Sequence, residues 1–392
     1  MRSSRVVSRL ALEYFAADHL GYGRMGLQIH RALERAGVEV TTDSMDGTAE
    51  TALYIKIPPL CKKWLESQQR VIWTMYETTQ VPTEFRDLHE FDIVVVPCEA
   101  NREAFSRWHH DVVTVPLAVD ERWKYRKPVV DGPFKVLASG SEFRKGLDLA
   151  CDVFRKAFPN NNDVRLLLKA PTTMTFGLPT DPRFQMVSGF LTADEEVALY
   201  ASANVYLGMS RGEGFGMMPL QAIVQGTPTI MSSGHGHAMF EQFGISVDTS
   251  LVPAVEYKLY GEAGDWWLPS VDDAVDKLRY VYENYTHHVA SAKKNALKAA
   301  KTFTWDASAK LLLSHLGLLR LYQGSGKVCF PEPRDVWVVA KVDVHADIGP
   351  YRVDIVQGDG RWVPPDVKRV LRDADAITDD SWHDWRQREV NS

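Results

Sequence analysis

Residues 210–229 read SRGEGFGMMPLQAIVQGTPT, and their order decides the fold. An apolar run, 205–209, leads into them, and Gly212, Gly214 and Gly216 follow on alternate positions. A helical stretch over 217–225 comes next, with Pro219 in its first turn, where proline is tolerated. A second apolar run starts at Thr227. Strand, glycine loop, helix and strand make one βαβ unit, and in a parallel sheet the ligand lies beyond the carboxyl ends of the strands, where this loop sits. Glycines let the backbone approach a ligand closely, and the free N–H groups at a helix start suit phosphate or hydroxyl oxygens. Glu213 precedes the helix and Gln221 lies eight residues later, a separation that lets both face one bound molecule.

The same alternation extends in both directions. Apolar runs at 6–11, 38–42, 52–57, 71–75, 93–96 and 112–115 predict buried strands, with a helix over 26–36 between the first two. The pattern restarts after a charged loop, 121–133, that carries two prolines. Strands are predicted at 134–139, 164–169, 184–187, 205–209 and 227–231, with helices over 147–158, 194–201 and 217–225. Strand–helix alternation with short links argues parallel sheets covered on both faces. Two such blocks predict two α/β domains, 1–131 and 132–304, doubly wound and facing each other across a cleft. From 271 onward the chain reads as helices over 272–283, 288–301 and 305–322, then a strand pair at 336–344 and 351–356, and a last helix over 364–373. Residues 325–392 follow neither earlier pattern and read as an appendix.

The chain has 392 residues, ample for more than one core. Its 45% apolar and 24% charged residues exclude wholesale disorder. Forty-five Lys and Arg against 51 Asp and Glu give a net charge of −6, a poor balance for non-specific nucleic-acid binding. Cys61, Cys98, Cys151 and Cys329 are scattered without paired spacing, which fits a reducing cytoplasm and no structural zinc. No stretch reaches the roughly 18 apolar residues a membrane span requires. The first twelve residues read as a strand with a basic lead-in, not a signal peptide.

The 210–229 stretch resembles the signature of family-four (group 1) glycosyltransferases, retaining enzymes of the GT-B fold. The matching positions are Glu213, Gly214, Phe215, Gly216, Pro219, Ala222, Gly226, Thr227 and Pro228. The resemblance implies that Glu213 contacts the donor sugar and that position 221 bonds the ribose hydroxyls of the nucleotide. This chain carries Gln221 where the family has a second Glu. Residues 140–147, GSEFRKGL, resemble the family's donor-phosphate loop: Lys145 maps to its Lys, Ser141 stands at its Arg position, and Arg144 is the substitute cation. Gly140, Ser141, Arg211, Gly214, Phe215, Gly216 and Gln221 are thereby implied as donor-binding. Residues 21–40 resemble the family's first glycine loop, helix and second strand, which makes Gly21 and Gly23 loop candidates. Residues 75–105 resemble a subgroup with an E-T-x-x-x-P turn and a P-S-E-x-N-R-x-x-F helix start. The family's catalytic-site His has no clear counterpart; His19 is one candidate, and Glu77, polar at a strand end, ranks above it. Coverage runs over about 20–322, and the segment 305–324 is expected to return to the N-terminal domain.

The implied function is transfer of a hexosyl or pentosyl group from a nucleotide-diphosphate sugar, without a cofactor or bound metal, by Glu213, Lys145, Arg144 and Glu77. The N-terminal domain would take the acceptor, which stays open among glycan, protein, lipid and modified DNA base; the oligomeric state also stays open. Two rivals are a non-catalytic nucleotide-sugar-binding or assembly protein of the same fold, supported by Gln221 and the missing Arg and His, and a sugar-nucleotide epimerase. His235 and His237 have metal-compatible spacing but read as an acceptor or donor contact, or as plain solvent exposure. The acidic run 373–380 reads as a solvated face, and most of the eleven tryptophans as core.

Overall fold

The computed structural model describes residues 9–15, 21–42, 49, 51–61, 69–128, 132–140, 142–170, 180–254 and 263–318, and five short strands beyond them. Two units separate, Met1–Ala309 and Lys310–Ser392.

The first unit contains two six-stranded sheets. In the first, β1 (Arg9–Tyr14), β2 (Glu39–Thr41), β3 (Thr51–Ile55), β4 (Gln69–Trp73), β5 (Ile93–Val96) and β6 (Val112–Thr114) lie in the order β2-β1-β3-β4-β5-β6, every pair parallel. All residues of β3 and β5 are buried, as parallel strands covered on both faces must be. Helices α1 (Gly21–Arg35) and α2 (Glu99–Phe105) follow β1 and β5. The α1 helix begins earlier than predicted, so Gly21 and Gly23 belong to its first turn and not to a loop. Glycine in a helix costs about 1 kcal/mol against alanine. The turn is held by Tyr22, whose hydroxyl accepts from the Met75 N–H (3.1 Å) at the end of β4.

The second sheet has β7 (Phe134–Ser139), β8 (Val164–Ala170), β9 (Phe184–Ser188), β10 (Val205–Gly208), β11 (Thr229–Ser232) and β12 (Ile245–Val247) in the order β12-β11-β10-β7-β8-β9, again all parallel. Helices α3 (Leu147–Ala157), α4 (Ala193–Ala201) and α5 (Met217–Gln225) connect them. Val153, Phe154, Leu166, Leu168 and Leu207 centre its core. Strand order reverses between β7 and β10, and ligands of such sheets sit in the crevice at that reversal. The loops leaving these two strands, 140–146 and 209–216, are the two segments the sequence marks for chemistry.

A hairpin that the periodicity did not predict follows, β13 (Thr249–Pro253) with β14 (Asp265–Pro269). Three helices come next: α6 (Val271–Glu283), α7 (Tyr285–Thr302) and α8 (Trp305–His315). The start of α8 touches the first domain through an Arg35–Asp306 ion pair (2.7 Å) and a Ser308 hydroxyl donating to the Pro116 carbonyl (2.7 Å). The helix stops short of the predicted residue 322. Gly317 turns to φ +66°, and the Leu318 and Gly317 N–H groups close on the Leu313 and Ser314 carbonyls, a Schellman cap.

In the second unit β15 (Val336–Ala340) pairs antiparallel with β18 (Gly360–Val363) and β19 (Ile377–Thr378), whereas β16 (Val344–Ile348) pairs with β17 (Tyr351–Ile355). The expected pairing of 336–344 with 351–356 is therefore corrected: two residues separate 348 from 351, the span of a tight hairpin, so the nearer segment wins the partner. The predicted helix 364–373 and the acidic run 373–380 fall outside the described residues, apart from the β19 segment.

Candidate active site

The two loops interlock at the strand-order reversal because glycine stands at each crossing. At Gly146 the backbone is left-handed (φ +67°), and a side chain there would collide with the Met209 carbonyl. A Cβ on Gly140 would collide with the Lys145 side chain. Gly212 lies against the Glu77 carbonyl of the other domain with no room for a methyl group, and a Cβ on Gly214 would press on Met75. Across the same junction the Cys98 thiol (3.2 Å) and the Asn101 amide (3.4 Å) donate to the Gly214 carbonyl. Asn101 also grips Tyr76, accepting from its N–H (2.7 Å) and donating to its carbonyl (3.0 Å), which fixes the turn that carries Glu77.

This packing brings five charged residues together. The Lys145 ammonium sits 2.8 and 2.7 Å from the two Glu213 oxygens. Arg144 donates to the Gly212 carbonyl (2.8 Å) and reaches carboxylates at Glu142 (3.1 Å), Glu77 (3.4 Å) and Glu213 (3.5 Å). Arg144 and Glu213 are each 6% exposed, so this network is desolvated. Burial alone would push the Glu213 carboxyl up, but Lys145 and Arg144 outweigh it and hold the group well below the usual carboxylate range. Burial, with Arg144 beside it, lowers the Lys145 ammonium against the pull of Glu213. Glu77 and Arg144 thus join the two domains directly at the site.

Helix α5 starts at Gly216 (φ +103°) with no side-chain cap, so its first N–H groups are not satisfied by a capping side chain. Gln221 lies in its second turn, 4% exposed, and its Oε1 finds no hydrogen-bond donor among the described residues. A buried acceptor without a donor fits a hydroxyl-bearing ligand at this position.

Other implied residues have different partners. Arg211 is clamped by Asp148 (2.9 and 2.6 Å) and the Phe143 carbonyl (2.6 Å), with its guanidinium 3.8 Å from the Phe143 ring centroid. It braces the loop leaving β7. Phe215 is a core side chain, edge-on to Phe240 and Phe303. Gly21 and Gly23 are helical, as described. His19 and Ser141 lie outside the described residues. His235 and His237 are buried, not solvent-exposed: their segment forms a 3-10 helix, His235–Phe243, folded onto the glycine loop, where the Gly236 N–H donates to the Glu213 carbonyl (3.0 Å). No third His, Cys, Asp or Glu joins them in a metal-holding group among the described residues. Asn101, Asp148 and Ser232 were not singled out from the sequence; the N-R-x-x-F helix start was the one signal pointing at Asn101.

A sequence model of the family described as "Family 4 Glycosyltransferase in conflict systems" matches residues 98–312, more than half of the chain. The chain belongs to this family. The family 4 glycosyltransferase match spans both loops and the Asn101 helix. A curated relative, "Uncharacterized protein 356" of Sulfolobus islandicus rod-shaped virus 1, is 24% identical over 180 residues, 44% of this chain and 49% of the relative. The chain thus spans about half the length of that relative. Sucrose-phosphate synthase of Thermosynechococcus elongatus superposes with a TM-score of 0.58 at 15% identity, over 79% of this chain and 98% of that one. Anabaena HepE, solved with UDP and glucose, gives 0.58 at 11% identity, over 80% and 100%. These likenesses establish the GT-B fold. No helix among the described residues is long and apolar enough to cross a membrane.

Proposed function

We propose that this family 4 glycosyltransferase moves a sugar, with retention, from a nucleotide-diphosphate sugar bound at the β7–β10 crevice to an acceptor held by the first domain. The observation that carries this reading is the Lys145–Glu213 pair at the uncapped start of α5, with Arg144 bridging to Glu77 on the opposite domain. Glu213, kept ionised by its cations, accepts from hydroxyls of the transferred sugar. Gln221, with a bare buried acceptor, takes a ribose hydroxyl. Lys145, Arg144 and the α5 N–H groups hold the diphosphate and stabilise the charge that grows as it leaves.

The Arg144 guanidinium is now spent on three carboxylates and a carbonyl, so donor entry requires the domains to part and the diphosphate to replace Glu77 on it. Reclosure of the Gly212–Glu77 contact then excludes water. The anomeric carbon passes through an oxocarbenium-like state. No carboxylate is free to act as nucleophile among Glu77, Glu142 and Glu213, all paired with cations, and this supports the departing phosphate as the group that takes the acceptor proton. The described cysteines, Cys61, Cys98 and Cys151, are free and buried, which supports a cytoplasmic setting.

The test is release of nucleoside diphosphate from a panel of UDP-, GDP-, ADP- and TDP-linked glucose, galactose, mannose and N-acetylglucosamine, by wild type and Glu213→Gln. Release from one donor that the variant loses at least a hundredfold supports the assignment. A new sugar nucleotide, formed without loss of diphosphate, would make the protein an epimerase. Binding without turnover would make it a non-catalytic relative.

A further inference from the structure

Ser232, at the end of β11, fixes the chemistry of two buried histidines. Its hydroxyl donates to the Ser210 carbonyl (2.6 Å), so its one proton is committed. Both imidazoles that touch the same oxygen, His235 through Nε2 (3.1 Å) and His237 through Nδ1 (3.2 Å), must therefore donate to it. His237 Nδ1 also lies 3.2 Å from the Ser232 carbonyl, which can only accept. The His237 N–H in turn donates to His235 Nδ1 (3.4 Å), the nitrogen left unprotonated on that ring. The relay leaves one end open: His237 Nε2 carries a lone pair, is buried, and meets no donor among the described residues. The residue is 1% exposed. Burial lowers its pKa to about 4, so the ring stays neutral and the lone pair stays available.

The open nitrogen borders the start of α5. A Cβ built on Gly216 would lie 2.9 Å from Nε2, and Glu213 acts on the ring electrostatically. The side chain is thus an acceptor placed beside a second acceptor, next to a helix start rich in donors. An ionised phosphate brings only acceptors and cannot satisfy it. A hydroxyl can.

We infer that His237 Nε2 accepts a hydrogen bond from a hydroxyl of the transferred sugar, so that His237 and Glu213 together select donors bearing hydroxyls at the two positions they face. This rests on the donor-site reading above. A site built to receive a hydroxyl rejects an analogue that lacks it, because a buried acceptor is then left unpaired.

The experiment compares, by calorimetry, the sugar nucleotide of the panel that wild type binds most tightly with its bare nucleoside diphosphate, in wild type and His237→Phe. The expected result is an affinity gain from the sugar that falls about tenfold in the variant, while affinity for the bare diphosphate stays within about twofold. An unchanged gain, or equal losses for both ligands, overturns the inference. Should His237→Phe fail to fold, imidazole ¹⁵N spectra of wild type decide: the His237 Nε2 resonance moves upfield with the sugar nucleotide and not with the bare diphosphate. Movement with neither, or with both alike, overturns it. If wild type binds no member of the panel, the donor-site reading falls and this inference with it; if it binds and His237 stays silent, this inference alone falls.

Discussion

Acidification provides a test of the buried histidine relay that needs no substrate. His237 is neutral in the folded chain with its pKa lowered to about 4, whereas an unfolded histidine titrates near 6.5. Below pH 6.5 the unfolded chain takes up a proton that the folded chain refuses, so stability falls as pH falls, until the folded group titrates too. At 1.36 kcal/mol per pKa unit, the gap between the two titrations is worth about 3 kcal/mol once the pH is well below 4; between pH 7 and 5 the loss is about 2 kcal/mol. Burial shifts His235 in the same direction, well below its ordinary value, and it adds to the loss. Glu213, whose folded pKa is depressed, contributes only as pH falls below the ordinary glutamate range, so the interval from 7 to 5 isolates the histidines. The assay is urea denaturation at pH 7 and pH 5 for wild type and His237→Phe. Wild type should lose at least about 2 kcal/mol over that interval, and the variant about 2 kcal/mol less than wild type. Equal pH slopes in the two proteins would refute a neutral, buried His237.

Three further outcomes follow from the same contacts. Glu213→Ala strands the Lys145 and Arg144 cations and should cost about 3–5 kcal/mol by urea denaturation, with Lys145→Met recovering part of it; additive losses would mean the two do not interact. Gly212→Ala forces a methyl group against the Glu77 carbonyl, and hydrogen exchange over 75–79 and 210–216 should quicken while β7 and β10 stay protected; unchanged exchange would refute direct contact of the two domains there. Gln221→Glu buries a carboxylate without a donor, so its cost should grow with pH, the pH-dependent part being capped by proton uptake at about 1.6 kcal/mol at pH 5.5 and about 4.4 kcal/mol at pH 7.5; a variant as stable as wild type at both would show that position 221 already faces donors.

The glycine loop was legible because its residues report backbone constraints. Gly212, Gly214 and Gly216 each sit where a side chain would strike a neighbour, and such positions leave a mark in the sequence. The buried parallel strands were legible from apolar runs such as the Ile93–Val96 strand. What escaped was decided by partners far along the chain. Arg211, beside Glu213 in sequence, reads as a ligand contact until Asp148 and the Phe143 carbonyl are seen to hold it. Gly21 and Gly23 read as loop residues because the Tyr22 contact with Met75, 53 residues away, is what makes them helical. The His235–His237 pair could not be assigned, since burial of a short polar segment depends on the Glu213–Gly216 loop folding over it. Periodicity did not resolve 336–356, where two candidate partners for one strand differ only in loop length.

The central claim is that Lys145 and Glu213 form a nucleotide-sugar donor site. The most direct measurement is titration calorimetry of wild type, Lys145→Ala and Glu213→Gln with the donor panel and its bare nucleoside diphosphates. The account predicts that wild type binds one sugar nucleotide more tightly than its bare diphosphate, that Lys145→Ala weakens both ligands, and that Glu213→Gln weakens only the sugar's share. Binding by wild type that neither substitution alters, or no binding to any member of the panel, would contradict it.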